Sequence, residues 1–160
     1  MSTDRNTVDE LLAQARSRLR RLTPQPARSE MARGMTFVDI RSDRQRDADG
    51  LIPDAVHLPR NMLEWRLDPA CAHRDPNLGR TDARVALICN ECYPSSLAAG
   101  TVARFGLAEV TDVIGGFQAW RAAGLPVGPP AGRRLRLGWL GLSDRPGQVE
   151  RSPSVGHPDG

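Results

Sequence analysis

Near the start of the chain, apolar residues recur at helical spacing: Leu11, Leu12, Ala15, Leu19 and Leu22. Ahead of them stands Thr7-Val8-Asp9-Glu10, a capping box in which Thr7 and Glu10 can each accept the other's amide. The pattern predicts a helix stopped by Pro24 and Pro26, then a short helix over 27–33 ended by Gly34. The period then changes. Residues 36–40 and 110–114 read as strands. Residues 85–88 form a continuous apolar run without polar alternation, as in a strand buried on both faces. Residues 41–50 are polar and close on Gly50, a loop or a short helix. Residues 52–59 read as a turn into a short strand. Asn61 can cap a helix reaching Leu67, and 69–83 reads as a surface loop. Further helices are predicted from 95 or 96 to 105, stopped by Gly106, and over 117–123, stopped by Gly124 and Pro126.

Strand and helix alternate over short connections, which predicts an α/β domain around a mostly parallel sheet. Three parts follow: a helical extension over 1–26, the domain over 27–127, and a Pro-, Gly-, Ser- and Arg-rich tail over 128–160 that is expected to be largely disordered. Within the tail, Leu135, Leu137 and Trp139 alternate with Arg134, Arg136 and Gly138, the pattern of a short docked strand.

Composition narrows the chemistry. The 160 residues hold 22 basic side chains, every one an arginine. Without lysine there is no Schiff base and no phosphate-loop lysine, which excludes pyridoxal-phosphate enzymes and P-loop NTPases. The net charge is +3, divided as +3 over 1–36, −2 over 37–127 and +2 over 128–160. The basic excess therefore sits in the flanks. Aromatics at 4% are too few for a base-stacking platform, so no nucleic-acid partner is expected. No apolar run approaches the roughly 20 residues that cross a bilayer, so no membrane partner is expected either. The start is polar and unlike a secretory leader. Three cysteines, an odd number, suit a reducing compartment, and a cytoplasmic protein is expected.

The chemistry concentrates in Leu87-Ile88-Cys89-Asn90-Glu91-Cys92-Tyr93-Pro94-Ser95-Ser96. A buried strand delivers Cys89 to a six-residue turn before a helix. Amides of Asn90, Glu91, Cys92, Tyr93, Pro94 and Ser95, together with the helix dipole, are expected to cradle its sulfur as a thiolate. Cys89 is thus the candidate nucleophile. Cys92 completes a C-x-x-C and is a candidate resolving thiol. Two other readings use the same residues: a thioredoxin-like oxidoreductase, and a Cys₃His zinc set drawn from Cys71, His73, Cys89 and Cys92. His57 reads as a packed or edge histidine, Glu64 as a solvated or rim residue, and Trp120 as core.

The chain resembles the single-domain rhodanese-like sulfurtransferases. Val38-Asp39-Ile40-Arg41, with Gly50-Leu51-Ile52-Pro53-Asp54-Ala55-Val56-His57-Leu58-Pro59, is similar to that family's Asp-Val-Arg and Gly-His-Ile-Pro-Gly-Ala elements. Cys89 to Ser95 matches its active loop in place and length. Gly115-Gly116-Phe117-Gln118-Ala119-Trp120 and Gly124-Leu125-Pro126-Val127 are similar to its closing elements. The resemblance implies a doubly wound domain with a central, mostly parallel five-stranded sheet flanked by helices. It also implies a persulfide on Cys89, Asp39 and Arg41 as structural support, a small-molecule or protein-borne sulfur donor, a thiol acceptor, and neither cofactor nor metal. It leaves the oligomeric state open. The family's loops often carry Gly where this chain has Cys92, Arg where it has Pro94, and cations where it has Asn90 and Glu91. Weak use of thiosulfate is therefore expected, and a phosphatase reading lacks its arginine clamp. The non-enzymatic alternative is a rhodanese-fold binding or redox-regulatory module.

Overall fold

The structure is a computed structural model that describes residues 5–130. The alternating stretch over 134–139, and nearly all of the tail expected to be largely disordered, lie outside the described residues. Strands β1 (Thr36–Asp39), β2 (Val56–His57), β3 (Arg84–Ile88) and β4 (Glu109–Asp112) form one parallel sheet in the order β2-β1-β3-β4. The central strand shows why its sequence lacks polar alternation. Val85 and Leu87 enter the core on one face, Ala86 and Ile88 on the other. Helices α4 (Leu63–Leu67) and α5 (Tyr93–Val102) cover the first face through Leu63, Leu67, Ala98, Ala99 and Val102. Helices α2 (Pro24–Ala32) and α6 (Gly116–Ala122) cover the second through Ala27, Phe117 and Trp120. Trp120 meets Phe37 edge to face at 5.5 Å. Between β1 and β2 the chain forms α3 (Asp43–Asp49), opened by a capping box of Ser42 and Gln45.

Among the described residues the sheet has four strands, where the resemblance implies five. Beside β4, Leu22 makes a single parallel bridge to Val113. Its amide donates to the Asp112 carbonyl at 3.1 Å, and its carbonyl accepts from Ile114 at 2.8 Å. Helix α2 begins two residues later, which leaves no chain to extend that ladder.

Three predicted boundaries shift, two of them because of where prolines fall in a helix. Pro24 and Pro26 do not end a helix; they sit in the first turn of α2, where amides have no intrahelical acceptor to lose. Pro94 likewise falls in the first turn of α5, so that helix begins at Tyr93 rather than at 95 or 96. The first helix, α1 (Val8–Ser17), ends well before Leu22, because Leu19 to Leu22 turn away to reach β4. Helix α1 docks on α5, and Leu12 is its buried residue. Gly100 permits the approach, since a Cβ there would lie 2.8 Å from the Ala15 Cβ.

Candidate functional site

Strands β1 and β3 end in register, Asp39 beside Ile88, so Cys89 emerges at the carboxyl edge of the sheet. This is the edge where open α/β sheets bind ligands. Cys89 is buried. Its Sγ accepts the Cys92 amide at 3.1 Å and shares a hydrogen with the Ser95 hydroxyl, also at 3.1 Å. The start of α6 shapes this turn from outside. Phe117 N donates to the Cys89 carbonyl at 2.8 Å and Gln118 N to the Asn90 carbonyl at 3.1 Å. Gln118 Nε2 also donates to Asn90 Oδ1 at 2.9 Å. Because a peptide is planar and trans, carbonyls drawn toward α6 leave the Asn90 and Glu91 amides on the opposite side.

Gly116 makes that grip feasible. It has φ +60°, and a Cβ there would lie 2.6 Å from both the Cys89 and Asn90 carbonyl oxygens. Gly116→Ala is therefore expected to push the loop off α6 and lower the reactivity of the Cys89 sulfur on the order of 10²-fold, the usual cost of misplacing a reacting atom by about 1 Å. Steady-state rates beside a thermal melt check this; a folded variant with the wild-type rate contradicts it.

The expected ring of six amides is corrected in two respects. Pro94 has no amide hydrogen and can donate nothing. Among Asn90 to Ser95, the backbone donor that reaches Cys89 Sγ is Cys92. Asn90 turns its side chain to Gln118, while Glu91, Tyr93 and Pro94 are exposed. Cys92 caps α5 at φ 69°, a left-handed conformation that costs a non-glycine residue roughly 1–2 kcal/mol. Its sulfur lies 3.5 Å from Arg16 Nη2, which also donates to its carbonyl at 3.2 Å. Arg16 stacks over the Tyr93 ring as well, 5.6 Å from its centre. Below the turn, Ser96 Oγ lies 2.6 Å from the Cys92 carbonyl and 2.5 Å from Asp112 Oδ2. Arg21 forks onto the same carboxylate at 2.7 and 3.0 Å. That bond holds the Arg21 guanidinium above its ordinary range, with the Cys92 sulfur a smaller contributor.

On the other side of Cys89, Asp39 and Arg41 are both buried and joined by a fork: Arg41 Nε to Oδ1 at 3.0 Å and Nη2 to Oδ2 at 2.7 Å. Arg41 Nη2 also donates to the Gly50 carbonyl at 2.9 Å, and its guanidinium lies 3.7 Å from the centre of the Phe117 ring. His57 Nε2 meets the Arg41 carbonyl at 3.0 Å. Glu64 is bound by Arg60 at 2.6 and 2.9 Å. A cleft of about 430 Å³ opens at this edge, walled by Ile40, Arg41, Asp43, His57, Pro59 and Arg60 among others; Cys89 is not one of its walls.

Cys71 lies apart in the long loop, its Sγ accepting from the His73 amide. All three cysteines are free thiols. Among the described residues, no three His, Cys, Asp or Glu side chains converge as a metal set, so the proposed Cys₃His grouping is not assembled. Sequence reasoning missed Arg16, Arg21, Ser96, Asp112 and Gln118. Of these, Ser96 lay at the end of the segment that carries Cys89 and Gln118 inside a family-like motif; the arginines carried no mark that set them apart from the other twenty.

A family model described as the rhodanese-like domain matches residues 23–123. The thiosulfate sulfurtransferase GlpE of Ectopseudomonas mendocina is 34% identical over 106 residues, covering 66% of this chain and 88% of that protein. A sulfurtransferase of Allochromatium vinosum is 32% identical over 96 residues, covering 60% of this chain and 80% of its own. Among solved structures, a Rhodopseudomonas palustris protein of unknown function, described as a possible tyrosine phosphatase, aligns with a TM-score of 0.71 at 33% identity. That alignment covers 79% of this chain and 98% of the other. The polysulfide-sulfur transferase of Wolinella succinogenes shares the fold, with a TM-score of 0.59 at 21% identity over 77% of this chain and 88% of its own.

Proposed function

This chain belongs to the rhodanese-like family, and on that footing we propose that it moves sulfane sulfur through a persulfide on Cys89. The observation that carries the reading is the placement of Cys89 Sγ, with the Cys92 amide and the Ser95 hydroxyl each 3.1 Å away. Such donors stabilise a sulfur anion before and after it takes up the extra atom. In the first step the Cys89 thiolate attacks the outer sulfur of the donor, whose S–S bond breaks to release a thiolate. In the second, an acceptor thiolate attacks the terminal sulfur and Cys89 leaves as the thiolate. Cys92 supplies a second exit. Its thiolate, turned from Arg16 toward Cys89, attacks the inner sulfur, hydrosulfide departs, and a Cys89–Cys92 disulfide remains for an external thiol to reduce.

The name of the Ectopseudomonas relative points to thiosulfate, but the loop here argues for another donor. No arginine lies between Cys89 and Ser96, and Glu91 is exposed at the turn. Each cation missing beside a dianion costs about 1 kcal/mol in a half-wet site. We expect an organic persulfide to load Cys89 at least about tenfold faster than thiosulfate. Side-by-side loading rates test this, and fast, tight turnover of thiosulfate overturns it. The same lack of arginine, with Ser95 at the sixth position after Cys89, weighs against carrying phosphatase chemistry over from the Rhodopseudomonas protein, because phosphoryl transfer relies on a guanidinium fork. Free thiols suit a reducing, cytoplasmic setting. No helix among the described residues is long and apolar enough to cross a membrane.

A further inference from the structure

We propose that α1, which lies ahead of the family-matched residues 23–123, is part of the sulfur site, with Arg16 as the positioning residue of the Cys92 turn. The inference rests on the persulfide reading of Cys89.

Arg16 touches neither Cys89 nor a substrate. It acts through Cys92, whose amide is the backbone donor to Cys89 Sγ at 3.1 Å. That amide points correctly only while Cys92 stays at φ 69°, a conformation its side chain disfavours. Arg16 reaches three atoms of the turn: the Cys92 carbonyl at 3.2 Å, the Cys92 Sγ at 3.5 Å and the Ser96 Oγ at 3.1 Å. One planar guanidinium binds all three, which a lysine ammonium could not match in geometry. The aim of Arg16 is set at both ends of its segment. Toward the N-terminus, Leu12 is buried and Ala15 fits against Gly100 of α5. Toward the C-terminus, Arg21 is forked onto Asp112, the carboxylate that also contacts Ser96. The charged groups around the turn are thus Arg16, Arg21 and Asp112, with Glu91 on its exposed side.

The test uses the full chain and an organic persulfide as donor. Arg16→Gln is expected to lower turnover about tenfold with the donor KM unchanged, on the scale of one lost hydrogen bond. It is also expected to slow the profile of Cys89 alkylation with time, followed by peptide mapping, because the amide donor to the Cys89 sulfur is loosened. Arg16→Lys should not restore either property. Gly100→Leu, which touches neither Arg16 nor the loop, should reproduce both effects by lifting α1. A folded Arg16→Gln protein with wild-type turnover and an unmoved alkylation profile overturns the proposal. A wild-type protein that takes up no sulfur defeats the persulfide reading instead, and the alkylation profile then still decides the role of Arg16.

Discussion

Cys89→Ser is expected to take up no sulfur from any donor and to lose turnover by on the order of 10⁴-fold or more, the scale seen when a nucleophile is removed. A serine oxygen can keep the hydrogen bonds from the Cys92 amide and the Ser95 hydroxyl, so the loop and the melting temperature should change little. It cannot form a persulfide. Neither remaining thiol is placed to substitute. Cys71 sits in the long loop against the His73 amide. Cys92 turns its amide to the Cys89 sulfur and its own sulfur to Arg16. Intact mass after exposure to an organic persulfide reads the outcome, with Cys92→Ser as the companion. That variant should still load one sulfur and hold it longer, since no internal thiol is left to expel hydrosulfide. A sulfur adduct on Cys89→Ser would falsify the assignment. A wild-type chain that never loads favours the binding or regulatory module. A Cys92→Ser adduct no longer-lived than wild type removes the resolving role.

Much of the fold was legible because burial on two faces writes itself into sequence. Residues 85–88 lack polar alternation because Val85 and Leu87 serve one core and Ala86 and Ile88 the other. Gly106 marks the end of the α5 region because the chain there passes through φ +78°. Prolines were misread because their effect depends on position. Pro24 and Pro94 would break a helix from inside but open one from its first turn. The site divided the same way. Cys89 is announced by its place after an apolar strand, and Gly116 by the doubled glycine. The left-handed turn at Cys92 has no signature of its own, since a cysteine there says nothing about φ. Arg16 and Asp112 are separated from the loop by tens of residues, and only the docking of α1 and the course of β4 bring them beneath it. Periodicity reports which face is buried; it does not report which polar side chain crosses from one element to another.

Breaking the Asp39–Arg41 pair is expected to cost about 3–5 kcal/mol, because removing one partner strands the other's charge in the interior. For a domain of this size that corresponds to roughly 10–20 °C in melting temperature. The two single variants should differ, and the direction follows from what each leaves behind. Arg41→Met leaves Asp39 its hydrogen bond from the backbone amide of residue 41 at 3.0 Å and the Arg46 guanidinium at 3.5 Å. Asp39→Ala leaves a fully buried guanidinium with the Gly50 carbonyl and the Phe117 ring, and with Nη1 already lacking a hydrogen-bond partner. Asp39→Ala should therefore be the more damaging. The double variant Asp39→Ala/Arg41→Met should recover much of the loss, because no lone charge then remains in the interior. Activity should fall with stability in the single variants. Arg41 rests on Phe117, and the Phe117 amide holds the Cys89 carbonyl at 2.8 Å, so a shift of the guanidinium reaches the cradle through two contacts. Urea denaturation of the three variants beside wild type measures the cycle. Additive losses in the double variant, or a mild Asp39→Ala, would show that the pair is not the interior support proposed for this edge of the sheet.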